Sequence, residues 1–217
     1  MATGIPAQAP CRNEGTYEIT YPGKISISEI ISGRRAESLA VFRDGAEGRL
    51  HCGENLDILR TFLDEPKISG KVDLIYIDPP FATGSDFESR SQTHAYTDSL
   101  KGAQYLEFLR QRFIILREIL SINGSIYIHL DSRMICETKI TMDEVFGAGN
   151  FRSLITRKKS NPKNYTRNSY GNIADYILFY SKTPDYIWNR QTVDPSEELR
   201  NLLEMFAPAE QPVSTTK

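Results

Sequence analysis

Lys71-Val72-Asp73-Leu74-Ile75-Tyr76-Ile77-Asp78-Pro79-Pro80-Phe81 is the stretch that decides the fold. Val72 to Ile77 is short, mostly apolar and rich in β-formers, which predicts a strand covered on both faces, as in a parallel sheet. Asp73, at its start, is the exception. The strand stops abruptly because Asp78 is followed by two prolines, which lack N–H donors and cannot extend a ladder. The expected result is a stiff turn carrying one carboxylate and one aromatic ring. In open α/β sheets the carboxyl end of a strand is where ligands bind. The plain structural alternative is a strand ending in a proline turn, with Asp78 capping something local.

Upstream, Leu50-His51-Cys52-Gly53-Glu54-Asn55-Leu56 reads as a short strand, a turn and a helix start, with Asn55 as the N-cap. Leu56, Leu59, Phe62 and Leu63 form one apolar stripe, and the helix ends before Pro66. With the central strand this predicts a right-handed βαβ crossover. Further back, Tyr17, Ile19 and Tyr21 alternate with polar residues, and so do Ile25 and Ile27 after Pro22-Gly23, which predicts a hairpin. Residues 1–15 read as a loose arm and residues 32–48 as a connection.

Downstream, residues 82–102 are polar, lack a clear period and contain Phe87, Tyr96 and Asp98. A loop of this length beside a strand end reads as a segment that closes over a substrate. Residues 103–120 form the clearest helix, with Leu106, Leu109, Phe113, Leu116 and Leu120 on one face and Asn123-Gly124 as its stop. Ser125-Ile126-Tyr127-Ile128-His129-Leu130-Asp131 is a second covered strand, again ending in a carboxylate. Ser132 is expected to cap a helix over 133–146 that stops at Gly147. A single strand histidine such as His129 reads as hydrogen-bonded structure before it reads as a base. Asp131 stands evenly between a cap and a pocket wall. Another apolar strand follows at Ile173-Ala174-Asp175-Tyr176-Ile177-Leu178-Phe179-Tyr180, and the tail turns acidic and then Pro-rich after Asp194.

The chain has 217 residues, 40% hydrophobic and 25% charged, the composition of an ordinary soluble protein with one large domain. No apolar run approaches the roughly 18 residues that span a bilayer, and no secretory signal opens the chain. Cys11, Cys52 and Cys136 are odd in number, widely spaced and without zinc spacing, which suits a reducing, cytoplasmic compartment. Net charge is −2, so any nucleic-acid contact must come from local asymmetry. Residues 150–174 supply it: they hold six cations and no acid, which leaves −8 for the remainder of the chain. Arg157, Lys158, Lys159, Lys163 and Arg167 could neutralise phosphates, and Tyr165 could stack on a base. The alternative is a solvated basic loop. The expected organisation is an arm and hairpin over 1–48, a catalytic domain over 49–190 that includes the basic segment, and a tail over 191–217.

Asp78-Pro79-Pro80-Phe81 resembles the Asp-Pro-Pro-Tyr/Phe motif of DNA methyltransferases that act on exocyclic amines, in its adenine-N6 form. Tyr17-Glu18-Ile19-Thr20-Tyr21-Pro22-Gly23-Lys24 is similar to the opening segment of type III modification subunits. Gly53-Glu54-Asn55-Leu56 resembles the family's Gly-Asp-Asn-Leu, with Glu in place of Asp, and Tyr96 and Asp98 resemble its Tyr-x-Asp. The Gly-Ser-Ile-Tyr-Ile-His-Leu-Asp run at 124–131 and the 173–182 strand are also similar. The resemblance implies a Rossmann-like, S-adenosylmethionine-dependent sheet with helices on both faces. It further implies cofactor contacts at Glu54, Asn55, Asp78 and Asp131, and double-stranded DNA as the substrate.

An exocyclic adenine amine is a poor nucleophile because its lone pair is delocalised into the ring. A carboxylate and a backbone carbonyl that accept its two N–H bonds push it toward sp³ character. Asp78 supplies the first acceptor and the Pro79 carbonyl the expected second. The prolines fix the geometry in advance, and Phe81 offers a face to a base turned out of the duplex.

One part of the family pattern is missing. The glycine-rich cofactor loop, which follows a DNA-recognition region in enzymes with this motif order, does not occur in these residues. The fold is therefore expected to be incomplete, resembling the amino-terminal half of a modification methyltransferase. A fragment, a truncated product and a split-enzyme half remain open. A second chain supplying the loop, or a restriction subunit, is the partner implied. An RNA methyltransferase stays open, and so do two other readings. One is a cytosine-N4 transferase, against which Asp78 argues, since those enzymes more often carry Ser there. The other is a catalytically silent DNA-binding or assembly half.

Overall fold

The computed structural model describes residues 18–37, 40–42, 48–80, 86–88, 94–97, 102–158 and 173–190. The chain divides into two units, 1–187 and 188–217, and every element named below lies in the first. In order these are α1 (Ile27–Ser32), β1 (Ala40–Phe42), β2 (Leu50–Cys52), α2 (Asn55–Leu63), β3 (Val72–Ile77), β4 (Asp86–Glu88) and β5 (His94–Thr97), followed by α3 (Gly102–Ile119), β6 (Leu120–Leu130), α4 (Ile135–Phe146), β7 (Phe151–Lys158) and β8 (Ala174–Ser181). None of the described helices is long and apolar enough to cross a membrane.

The main sheet runs β3-β6-β8-β7. β3 and β6 are parallel, while β8 is antiparallel to both β6 and β7. A parallel pair needs a crossover, and α3 provides it, so β3-α3-β6 is the βαβ unit. The crossover expected from Leu50 into β3 is not formed. The three residues of β2, the expected short strand, pair instead antiparallel with β1, which lies inside the stretch expected to be a connection. Closing that short loop costs less chain entropy than a crossover.

The fold class is the expected α/β sheet with helices, but coverage differs. All four helices bury side chains in one cluster: Ile30 of α1, Leu56 of α2, Leu109 and Phe113 of α3, and Met142 and Phe146 of α4. The strands meet that cluster through alternate positions, Ile75, Ile126, Ile128, Leu178 and Tyr180. The intervening residues point the other way, where Leu74 is 62% and Tyr76 56% exposed. Among the described residues, then, the helices pack on one face, and β3 is not covered on both.

Local chemistry explains further departures. Among the described residues no hairpin forms over 18–27, and Tyr17 lies outside them. Pro22 and Gly23, the latter at φ 84, turn the chain into α1, and the Ser26 hydroxyl accepts from Glu29 N–H at 3.2 Å. That cap competes with strand pairing. The segment is held on α3 by two buried charges. The Tyr21 hydroxyl donates to Glu107 at 2.7 Å, and Arg110 donates to the Ile25 carbonyl at 2.9 Å. Burial and the Glu107 hydrogen bond push the Tyr21 phenol well above its ordinary range.

In α2 the N-cap is Glu54, one residue before Asn55. α3 stops at Ile119, so Asn123-Gly124 lie inside β6 rather than ending the helix. Gly124 is required there, because a Cβ would stand 2.8 Å from the Val72 carbonyl oxygen. The N-cap of α4 is Met134 rather than Ser132, and it makes no side-chain cap bond. Within the stretch read as an aperiodic loop, β4 and β5 form an antiparallel pair with Phe87 opposite Tyr96. Asp98 lies outside the described residues.

Candidate active site

Asp78 leaves the sheet at the carboxyl end of β3 with its side chain 59% exposed. It lines a cavity of about 460 Å³ with Tyr76, Pro79, Pro80, Asn55, Phe108 and Arg112. Ligand sites typically span roughly 300–1,000 Å³, with apolar walls and a few placed polar groups, and this cavity fits that description. The turn is held from below: the buried Tyr105 hydroxyl donates to the Pro80 carbonyl at 2.7 Å. That bond does not use the Pro79 carbonyl, the expected second amine acceptor. Phe81 lies outside the described residues.

The opposite wall comes from α2 and α3. Arg112 donates to Glu54 Oε1 and to Asn55 Oδ1, both at 2.8 Å, and its guanidinium lies 3.5 Å from the centre of the Phe108 ring. Burial lowers Arg112 to about 10, so it remains a cation at neutral pH. Glu54 also accepts from Leu56 N–H at 3.3 Å and caps α2. Of the four residues expected at the cofactor, Asn55 and Asp78 share the cavity, and Glu54 reaches it only through Arg112. Asp131 is not among the lining residues. Its carboxylate is buried and accepts from Arg133 N–H at 2.9 Å and Nε at 2.7 Å.

β7 carries the first of the basic residues outward. Arg157 and Lys158 are exposed at its end, whereas Arg152 turns in to donate to the Ser181 hydroxyl at 2.7 Å. Lys159, Lys163, Tyr165 and Arg167 lie outside the described residues. Sequence reading missed Tyr105 and Arg112. Both sit on α3, far in the chain from the proline turn, and no local motif marks them.

The DNA methylase family of N6 and N4 enzymes matches residues 72–211, so the chain belongs to that family. It is 43% identical over 187 residues to the type II methyltransferase M.EcaI of Enterobacter cloacae, covering 83% of this chain and 41% of that protein. It is 30% identical over 189 residues to the StyLTI Mod subunit, a type III restriction-modification enzyme component of Salmonella typhimurium, covering 77% of this chain and 28% of that one. The chain therefore spans well under half the length of these relatives. Among solved structures, the PvuII cytosine-N4-specific DNA methyltransferase aligns with a TM-score of 0.48 at 14% identity, over 74% of this chain and 63% of that one.

Proposed function

We propose that this chain is the target-handling part of a DNA methyltransferase acting on adenine N6, the modification component of a cytoplasmic restriction-modification system. One observation carries the reading. Asp78 is an exposed carboxylate on a proline-locked turn, opening on a cavity large enough for a ligand. Asp78 accepts one N–H of a flipped-out adenine amine, and the Pro79 carbonyl accepts the other. The Tyr105 bond keeps the turn from relaxing as the amine changes geometry.

S-adenosylmethionine supplies the electrophilic methyl when bound. The cavity fits such a group: its walls are largely apolar, Asp78 offers charge complementarity to a sulfonium, and Arg112 sets a cation against Glu54 and Asn55. Arg157, Lys158, Lys159, Lys163 and Arg167 contact the phosphates of double-stranded DNA, with Tyr165 among them. A second chain or segment supplies the glycine-rich cofactor loop and the recognition region, and a restriction subunit is a further partner, as the relatives' names suggest.

The test is radiolabelled methyl transfer to duplex DNA, with and without a chain carrying the missing loop, followed by nucleoside analysis. N6-methyl-2′-deoxyadenosine should appear and should be lost in Asp78→Ala. Because Asp78 is exposed, that substitution should change folding stability by no more than about 0.5 kcal/mol. Undiminished transfer in Asp78→Ala would refute the assignment, and N4-methylcytosine as product would move the chain to the cytosine branch.

A further inference from the structure

The open end of the sheet carries a set of side chains that the amine-acceptor role does not use. Four polar side chains cross it: Asp78 just past β3, His129 on β6, Asp175 on β8 and Arg157 on β7. His129 Nδ1 lies 3.4 Å from Asp78 Oδ1. His129 Nε2 lies 3.6 Å from Asp175 Oδ2, and the same oxygen is 3.6 Å from Arg157 Nη1. The strand register builds this row. Arg157 is paired directly with Asp175, and His129 is paired with Ile177, which makes Asp175 its diagonal neighbour on the same face.

Burial is graded along the row. Asp175 and His129 are the inner members, with side chains 7% and 12% exposed. Asp78 and Arg157, the outer members, are both 59% exposed. One end therefore opens on the candidate active-site cavity and the other on the basic segment.

An aspartate that open is free to rotate about its side-chain bonds. Holding one oxygen from the side leaves the other in a fixed direction. The two ring nitrogens of His129 each face a carboxylate, so Asp175 behind the ring restrains its orientation while Nδ1 faces Asp78. Arg157, beside Asp175, compensates the charge of that buried carboxylate.

We propose that His129, oriented by Asp175, is a positioning residue for Asp78. It fixes the carboxylate in the pose that receives the target amine and touches no reacting atom itself. This rests on the role given to Asp78 above. Arg157, at the far end, ties the row to the strand that carries the DNA-facing cations.

The experiment is steady-state methyl transfer to duplex DNA, with the chain completed by its loop-bearing partner where transfer requires one. Five versions are compared: wild type, His129→Leu, His129→Asn, Asp175→Asn and the double variant His129→Leu/Asp175→Asn. Asn at 129 places an amide N–H near the position of Nδ1, so it keeps a donor toward Asp78. His129→Leu should lower kcat by about 10- to 100-fold while KM for DNA stays within about twofold. His129→Asn should recover most of that loss. Asp175→Asn should reduce kcat comparably, and combining it with His129→Leu should add little, because both act through one contact.

Thermal melting monitors folding. If the leucine variant fails to fold, the Asn variants carry the comparison. Unchanged kcat in the folded variants, no recovery in His129→Asn, or fully multiplicative losses would each overturn the proposal. Those results with an inactive Asp78→Ala would leave the amine-acceptor role standing. A wild-type enzyme without transfer, or an active Asp78→Ala, would remove both.

Discussion

At the scale of single residues, the candidate site depends on a turn whose stiffness has two sources. Pro79 and Pro80 fix φ and donate no hydrogen bonds. The Tyr105 hydroxyl then anchors the Pro80 carbonyl from a fully buried position on α3. Removing that hydroxyl leaves the carbonyl without this donor. Tyr105→Phe should therefore cost about 1 kcal/mol in urea unfolding and also lower methyl transfer. A variant with full stability and full transfer would show that the prolines suffice alone. Asp78 and its prolines are legible in the sequence because they are contiguous. Tyr105 and Arg112 are not, because each belongs to another element and reaches the turn or its cavity only after the chain folds, and Asp175 meets His129 only then. His129 is intermediate: the sequence marks it as a polar residue in an apolar strand, but its neighbours come from two other places in the chain.

At the scale of elements, the parallel β3-β6 pair sets where the turn stands. Its register jumps between Val72 and Leu74, and Gly124 lies at that irregularity. A Cβ there would also stand 2.8 Å from Leu120 Cδ2, beside an equally close backbone carbonyl that cannot move freely. Gly124→Ala should therefore destabilise the chain by about 1–3 kcal/mol, measured as a lowered denaturation midpoint with an unchanged slope. An unaffected midpoint would mean the strands can shift apart at no cost. β7 offers a second test. Arg157 and Lys158 are exposed at its end, and each released phosphate counterion contributes about one unit of salt dependence. Substituting both with Ala should reduce the slope of log K against log salt for duplex binding by about 2. An unchanged slope would take this strand off the DNA. Of the elements, the helices over 55–63, 102–119 and 135–146 and the strands β3, β6 and β8 were readable from the sequence, whereas β7 was read only as part of the basic segment. The α1 helix was not readable, because Ser26 and the buried Glu107-Arg110 pair outweighed an alternation that favours a strand.

At the scale of the molecule, one face of the sheet joins the cluster that all four described helices enter, and the other shows Leu74 and Tyr76 on β3, a strand with a neighbour on one side only among the described residues. Exposed apolar side chains on an unpaired edge promote association. Leu74→Lys should reduce concentration-dependent self-association in light scattering, while shifting stability by no more than about 0.5 kcal/mol because the side chain is already in solvent. Persistent association would place the contact elsewhere. The sequence alone determined the strand, its proline stop and the acid beyond it, because these need only local sterics and the absence of two N–H groups. It also determined the family likeness, which rests on contiguous motifs. The tertiary structure decided which strands pair, that the described helices share one face, and which distant side chains hold the turn and its carboxylate. Those outcomes depend on competition between loop closure, burial and charge pairing across the whole chain, and no short stretch of residues contains that balance.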